Sequence, residues 1–113
     1  TMNRWQHVAV TVEDIGSELR VYFYVNGTQY GPYSSSQAQI NNGAVNGTLD
    51  IGVQARGTCT CNYFNGTMDE LRVWNTVRTA AQIRSNMYQT ISGTTANLVA
   101  HYNFDNGTAG GTN

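Results

Sequence analysis

Apolar side chains alternate with polar ones in two stretches near the start of the chain. Every second residue is apolar from Val8 to Val12, and the same spacing returns over Leu19–Val25. Because successive side chains of a β-strand point to opposite faces, this spacing predicts two strands, the first of them opening around Trp5. The polar residues 13–18 between them predict a loop.

Two features after the second strand predict how the chain turns back. Asn26-Gly27 is a dipeptide that type I′ hairpin turns prefer. The return strand, Thr28 to Tyr33, holds the only proline of the chain, Pro32. Since proline lacks an N–H, this strand is expected at a sheet edge or with a bulge.

The stretch Phe64 to Asn75 is the most informative part of the second half. Asn65-Gly66 predicts another type I′ turn, and from Met68 the residues sort onto two faces of a strand. Leu71 and Val73 are expected to point inward. The other face is expected to carry Glu70, Arg72 and Trp74. Opposite charges two positions apart on one face can pair weakly.

Further elements complete the pattern. Strands are predicted over residues 48–53 and 98–104, the latter with Leu98, Ala100, Tyr102 and Phe104 on one face. Thr79-Ala80-Ala81-Gln82 has the spacing of a capping box, which predicts a short helix near residues 79–88. The residues expected on its inner face are Ala80, Ile83 and Met87. The polar segments 34–47 and 54–62 are predicted to be loops.

The order of these motifs resembles the laminin-G-like jelly-roll family, a branch of the concanavalin A-like lectin/glucanase superfamily. The residues that carry the resemblance are Trp5, His7, Val8, Ala9, Tyr24 to Gly27, Ile51, Gly52, Phe64, Gly66 and Asp69 to Trp74. The resemblance implies an all-β fold, an antiparallel two-sheet jelly-roll sandwich over residues 1–107 with one helix after the tryptophan strand. Residues 108–113 read as a linker.

The family's first strands are not found before Trp5. A sandwich that begins at its middle exposes a sheet edge, and open edges recruit other chains. We therefore expect either that strands upstream complete the sheet or that strands of a neighbouring chain do.

Composition and charge limit the classes of partner that the chain is expected to bind. With 113 residues, 40% of them hydrophobic, the chain fits one domain, and its formal charge is −1. Six arginines and no lysine leave no basic excess for nucleic acid or anionic membranes, and no apolar run approaches the roughly 20 residues of a membrane span. Abundant asparagine, threonine and glycine are typical of an extracellular or cell-surface module, bacterial in style.

Four Asn-Gly-Thr tripeptides match the acceptor pattern for N-glycosylation. They begin at Asn26, Asn46, Asn65 and Asn106. Turn formation by Asn-Gly, followed by a threonine that opens a strand, is the simpler interpretation and the one we favour.

Catalysis is not predicted. A retaining glycosidase needs two carboxylates about 5 to 5.5 Å apart on one side of the sugar. The neighbouring acids Asp69-Glu70 and Glu13-Asp14 would point to opposite faces of a strand, and no Glu-x-Asp spacing occurs in the chain. His7 and His101 lie in predicted strands without the motif of a nucleophile. We therefore expect a protein that is not an enzyme.

The resemblance implies calcium as a possible cofactor at a rim of the sandwich. Its candidate ligands here are Asp69, Asp50 and Asp105. The alternative for Asp69, which we favour, is that its carboxylate accepts a backbone N–H at the entrance of the strand. The two cysteines, Cys59 and Cys61, leave three states open: a local disulfide, two thiols, or bridges to another chain.

Tyrosines in hairpins and loops are candidate ligand contacts. Those selected are Tyr30, Tyr33 and Tyr63, together with Asn62, and the loops 34–47 and 54–63 are the expected binding rim. The alternative is that tyrosines form cross-strand pairs on an outer face, while Trp5 and Trp74 anchor the core.

The sequence thus predicts a non-catalytic recognition or adhesion module of a larger secreted or cell-surface protein, binding a glycan or an extracellular protein at loops on the sandwich rim. The second hypothesis is a structural one, in which the module is a spacer or assembly subunit. Its open sheet edge would then be completed by a neighbouring chain.

Overall fold

The computed structural model of the protein describes residues 3–36, 50–56 and 59–106, with the backbone alone at 54–56 and 59–61. In chain order the elements are β1 (Val8–Asp14), β2 (Leu19–Val25), β3 (Thr28–Ser35), β4 (Gln54–Arg56), β5 (Cys59–Cys61), β6 (Leu71–Trp74), α1 (Ala80–Asn86) and β7 (Leu98–Tyr102). The strands form the sheets β1-β2-β3, β4-β5 and β6-β7. Every strand pair is antiparallel, which with the one described helix confirms the all-β fold class and is consistent with a sandwich. The jelly-roll strand order stays a prediction.

The hairpin of β2 and β3 turns where the sequence predicted. Asn26 and Gly27 both have positive φ, 49° and 78°, as a type I′ turn requires. The turn also holds the chain that leads into β1, because Asn26 Oδ1 accepts a hydrogen bond from the His7 N–H at 2.9 Å. The first strand begins at Val8, so Trp5 lies before it.

A bulge in β3 accommodates the proline. The pairing with β2 shifts between Val21 and Phe23, where the cis Gly31-Pro32 peptide lies. Gly31 has a φ of 106°, and a Cβ there would stand 2.8 Å from the Val21 carbonyl oxygen, so only glycine fits. Within the described sheet β3 is an edge strand, which confirms the expectation for Pro32.

The prediction for residues 48–62 is wrong where the structure describes them. Residues 51–53 are bends rather than a strand, while β4 and β5 form an antiparallel pair inside the predicted loop. Gly52 has a φ of 77°, a conformation that interrupts an extended run, and its carbonyl accepts a hydrogen bond from the Phe64 N–H at 2.8 Å. The apolar alternation there was too short to distinguish a strand from a bend.

Asn65-Gly66 does not form the predicted type I′ turn, since neither residue has positive φ. The glycine is needed for another reason: a Cβ at Gly66 would stand 2.8 Å from the Phe64 ring. The strand that follows begins at Leu71, because Glu70 has a φ of 54° and breaks the extended run.

The last strand is also shorter than predicted. It pairs with β6 and ends at Tyr102, since Phe104 has a φ of 52°. The prediction that Phe104 belongs to the strand is therefore wrong.

The helix matches its sequence signals. Thr79 Oγ1 accepts a hydrogen bond from the Gln82 N–H, and the Gln82 side chain accepts one from the Thr79 N–H, which confirms the capping box. Ile83 is buried and Ala80 and Met87 are partly so, as the predicted inner face requires.

The described core is small. Its buried apolar side chains are Tyr24 and Ile83, only 4% and 7% exposed. The expectation of an outer-face position is wrong for Tyr24, because its side of β2 is the covered one. Trp5 is exposed rather than a core anchor, and Trp74 is partly buried with the guanidinium of Arg78 4.1 Å from its ring centre.

Candidate functional site

The bulge in β3 brings two of the predicted ligand contacts to one face. Tyr30 pairs with Phe23, and Tyr33 pairs with Val21. Without the bulge, residues three apart on a strand would face opposite sides. Both tyrosines are exposed, and the rings of Tyr33 and Phe23 meet edge to face at 5.7 Å.

The other two predicted contacts lie in a different part of the chain. Asn62 and Tyr63 follow β5, Asn62 with a φ of 57° and Tyr63 with an exposed ring. The structure places them in the segment before Phe64 and not on the sheet that carries Tyr30 and Tyr33. The four residues therefore lie in two separate places, two on strand β3 and two in the segment after β5.

The three candidate calcium ligands differ in what surrounds them. Asp69 Oδ1 accepts a hydrogen bond from the Glu70 N–H at 2.9 Å, as the favoured alternative predicted. Asp105 Oδ2 accepts one from Asn103 Nδ2 at 3.0 Å, and Asp50 is exposed. Among the described residues no group of three His, Cys, Asp or Glu side chains could hold a metal ion. The calcium site that the resemblance implied, with carboxylates and backbone carbonyls as ligands, stays a prediction.

Several predicted features lie outside what the structure describes. Strand β5 contains both cysteines, but their side chains are outside the described residues, so the three thiol states remain open. Residues 37–49, with most of the first predicted binding loop and Asn46, are outside as well. Of the other glycosylation candidates, Asn65 and Asn106 are exposed, whereas Asn26 uses its side chain in the β2–β3 turn.

An open cavity lies at the end of β7. It has a volume of about 290 Å³, and the described residues that line it are His101, Tyr102, Asn103, Phe104 and Asn106. Tyr102 and Phe104 are 43% and 48% exposed, and their rings stack 6.4 Å apart at 29° to each other. We call this group of residues the β7-exit cavity.

Backbone conformation shapes the β7-exit cavity. Phe104 adopts a left-handed φ of 52°, which is rare for a bulky residue and clusters at functional positions in proteins. The hydrogen bond between Asn103 and Asp105 spans this residue and fixes the loop around it. Sequence reasoning placed Tyr102 and Phe104 on one face of the closing strand, together with Leu98 and Ala100. The signal it missed was the run of Asn and Asp around Phe104 directly after a strand.

A charged cluster meets the cavity at His101, one of its lining residues. Arg72 donates hydrogen bonds to Glu70 Oε2 at 2.6 Å, to the Asn86 carbonyl at 2.8 Å and to the Gln89 carbonyl. His101 Nε2 lies 3.0 Å from the same Glu70 oxygen. The prediction that Glu70 and Arg72 pair is confirmed, and Arg72 additionally binds the last carbonyl of helix α1, at Asn86, and that of Gln89 three residues later.

The pKa values of Glu70 and of the nearby His7 are both lowered from their ordinary values. The hydrogen bond from Arg72 is the main cause that lowers the pKa of Glu70, and the bond with His101 lowers it further against the effect of burial. Burial lowers the pKa of His7, and the nearby charge of Arg72 adds to that. Glu70 is thus ionised near pH 7, with its Oε2 bonded to both Arg72 and His101, and the lowered pKa of His7 favours its neutral form.

Comparison with known proteins agrees with the motif order. Residues 1–84 match the laminin-G-like family model of the Concanavalin A-like lectin/glucanases superfamily, a span from β1 into helix α1. No curated protein and no solved structure matches the chain significantly. Within the described part of the chain, no helix has the length and apolar character needed to cross a bilayer. Since the match covers well over half of the 113 residues, the chain belongs to the laminin-G-like branch of the concanavalin A-like lectin/glucanase superfamily.

Proposed function

We propose that the chain is a non-catalytic recognition module of a secreted or surface-displayed protein, and that it binds neutral glycans in the β7-exit cavity. Its superfamily membership indicates a carbohydrate- or protein-binding module. The observation that carries the choice of glycan is the stacked, half-exposed pair Tyr102 and Phe104 beside two asparagine side chains in one open cavity.

The lining matches the two kinds of surface that a sugar presents. The C–H face of a pyranose ring packs on aromatic rings, and its hydroxyl groups need hydrogen-bond donors and acceptors at the edge of the ring. The amides of Asn103 and Asn106 and the hydroxyl of Tyr102 offer both. The volume of about 290 Å³ is near the lower end of the roughly 300–1,000 Å³ of small-molecule sites, which suits one or two sugar units.

The charge of the lining favours a neutral sugar. The described lining residues include no arginine and no carboxylate. Sulfated or acidic glycans bind where arginine or lysine can pair with their anionic groups. The arginine nearest in the fold, Arg72, is engaged with Glu70 and two backbone carbonyls and is therefore not available to an anionic ligand.

The same lining supports a role without catalysis. Glycoside hydrolysis needs a pair of carboxylates across the sugar. Glu70 lies behind His101 with one oxygen shared between Arg72 and His101, and this low-pKa carboxylate is a poor proton donor. A bound sugar would therefore be held but not cleaved.

Titration of the full chain with neutral oligosaccharides, followed by the NMR signals of the aromatic rings, tests the proposal. The panel contains glucose-, galactose- and mannose-based oligosaccharides, with a heparin fragment as the anionic comparison, each in calcium and in EDTA. We expect at least one neutral sugar to shift the ring signals of Tyr102 and Phe104. The affinity should be equal in calcium and in EDTA, because the described residues that line the cavity include no carboxylate to bind the ion.

The variant Phe104→Gly separates binding from folding. Glycine adopts the φ of 52° without strain, so the variant should be at least as stable as the parent, yet bind the sugar at least tenfold more weakly. Tyr88→Ala is the matched control, since it removes an exposed aromatic ring elsewhere and should bind normally. Absence of binding by every neutral sugar at millimolar concentration, binding of heparin alone, or unchanged binding by Phe104→Gly would contradict the proposal.

A further inference from the structure

One face of the sheet β1-β2-β3 is apolar and open to solvent. We call it the apolar face, and it consists of Val8, Val10, Val12, Phe23, Tyr30 and Tyr33. These side chains are 39% to 71% exposed. The opposite face carries the buried residues Thr11 and Tyr24, so the sheet is covered on one side only.

The register makes the apolar face one continuous surface. Val10 pairs with Phe23 across the β1–β2 ladder, and Phe23 pairs with Tyr30 across the next one. Val12 and Tyr33 flank Val21 in the same way, Tyr33 because the bulge at Gly31 turns it to this side. The surface therefore runs across all three strands without a polar break.

The apolar face does not suit a sugar. Valine side chains offer no donor or acceptor to hydroxyl groups. An aromatic side chain carries roughly 150–250 Å² of surface, so the half-exposed rings and the valines together present on the order of 500 Å². That is at the large end of the roughly 300–600 Å² that monomers leave open, and patches of this kind bind other proteins.

We propose that a second copy of this chain covers the apolar face, the two sheets stacking face to face about a two-fold axis. Stacked sheets about 10 Å apart are the ordinary geometry of β-sandwiches. Two such faces would together bury on the order of 1,000 Å², the size at which specific interfaces begin. The contact uses the face and not the β3 edge, where Gly31-Pro32 interrupts the ladder.

Charge is compatible with self-association. By strand alternation, the acid on this side of β1 is Asp14, at the end of the strand, where it accepts a hydrogen bond from the Gly16 N–H at 2.8 Å. A two-fold axis that runs across the strands places the two Asp14 side chains at opposite ends of the interface. With a formal charge of −1 per chain, repulsion between copies is small.

Sedimentation equilibrium of the full chain, from micromolar to millimolar concentration, tests this inference. We expect a monomer–dimer equilibrium. Val10→Asp places a charge at the centre of the apolar face and should weaken the dimer at least tenfold. Val99→Asp is the matched control, because Val99 is a comparably exposed strand valine on β7 and outside the face. Far-UV circular dichroism checks that both variants fold.

A chain that stays monomeric at millimolar concentration would overturn the inference, as would a dimer that Val10→Asp leaves unchanged or that Val99→Asp disrupts equally. The outcome is independent of glycan binding. Phe104→Gly should leave the dimer intact, and Val10→Asp should leave sugar binding intact.

Discussion

Two Glu-x-Arg ion pairs with the same spacing lie in the two halves of the molecule. Arg20 Nε meets Glu18 at 2.9 Å beside β2, and Arg72 meets Glu70 at 2.6 Å beside β6. The first arginine side chain is 40% exposed and the second only 11%. Arg72 additionally binds two carbonyls at the end of α1, so it joins the helix to the β6-β7 sheet.

The difference shows that a local sequence motif specifies which residues pair, but not how much the ion pair contributes to stability. Exposed pairs contribute about 0–1 kcal/mol, whereas breaking a buried, fully bonded pair costs several times more. The region β6-α1-β7 closes on itself through Arg72. The sheet β1-β2-β3 keeps its apolar face open, and its own ion pair does nothing to cover it.

Replacing each arginine in turn should give the largest difference in unfolding free energy between the two regions. Arg72→Ala removes the donor that Glu70 and the carbonyls of Asn86 and Gln89 share, while His101 still bonds Glu70 and the Gln89 N–H still bonds the Asn86 carbonyl. We expect a loss of about 2 kcal/mol of unfolding free energy, less than for a fully buried pair because Glu70 is partly exposed. Arg20→Ala should cost much less, because its ion pair with Glu18 is open to solvent. Urea denaturation of both variants measures the difference, and equal losses would refute it.

Glycine substitutions make the comparison sharper within the first sheet. Gly31→Ala should cost about 2 kcal/mol, because the residue has positive φ and its Cβ would meet the Val21 carbonyl oxygen at 2.8 Å. Gly16→Ala also strains a positive φ, but a Cβ there meets nothing within 4 Å, so about 1 kcal/mol is expected.

Thermal unfolding ranks these two variants. Gly31→Ala should also weaken the dimer, since the bulge aims Tyr33 at the apolar face. If Gly16→Ala were the more damaging change, close packing at the bulge would not be the reason for Gly31.

The helix cap should have a smaller effect, confined to the second region. Thr79→Ala removes the side chain that accepts the Gln82 N–H, which should cost about 1 kcal/mol. Thr79→Ser keeps the acceptor and should restore most of that loss. Hydrogen exchange should report faster opening of α1 in Thr79→Ala while β1 and β2 stay unchanged, and equal acceleration in both regions would contradict the separation proposed here.

Acid titration should give the smallest effect and distinguishes the two glutamates. The folded-state pKa of Glu70 is lowered, chiefly by Arg72, so its stabilisation is present above the usual glutamate pKa near 4.3 and is lost as the pH falls below it. Glu70→Gln should therefore flatten the fall in Tm below about pH 4. Arg20 and Ser34 lower the pKa of Glu18 too, but that side chain is open to solvent, and Glu18→Gln should leave the profile nearly unchanged.

Sequence patterns predicted the elements that local chemistry determines. The β1–β2 alternation, the Asn26-Gly27 turn, the edge position of Pro32 and the capping box of α1 all depend on residues close together in the chain. Predictions failed where the backbone adopts a conformation that the local pattern does not indicate. Gly66 serves the Phe64 ring rather than a turn, and Phe104 leaves the strand to shape the β7-exit cavity.

Burial was the property that local patterns predicted least well. Alternation identifies the two faces of β1 and β2, but which face is covered depends on what packs against it. Tyr24, on the side that also carries Arg20, is buried, while Phe23 on the valine side is exposed. The candidate site was missed for the same reason, because two aromatics at the end of a strand resemble core residues until their surroundings are known.

Solvent paramagnetic relaxation of methyl groups, measured across a dilution series, tests the central claim most directly. Ile83 should stay protected and Val99 exposed at every concentration. Val8, Val10 and Val12 should behave like Val99 in dilute solution and become protected as the concentration rises. If these three valines matched Ile83 even at the lowest concentration, or Val99 at the highest, the account of an open face that a second copy closes would be contradicted.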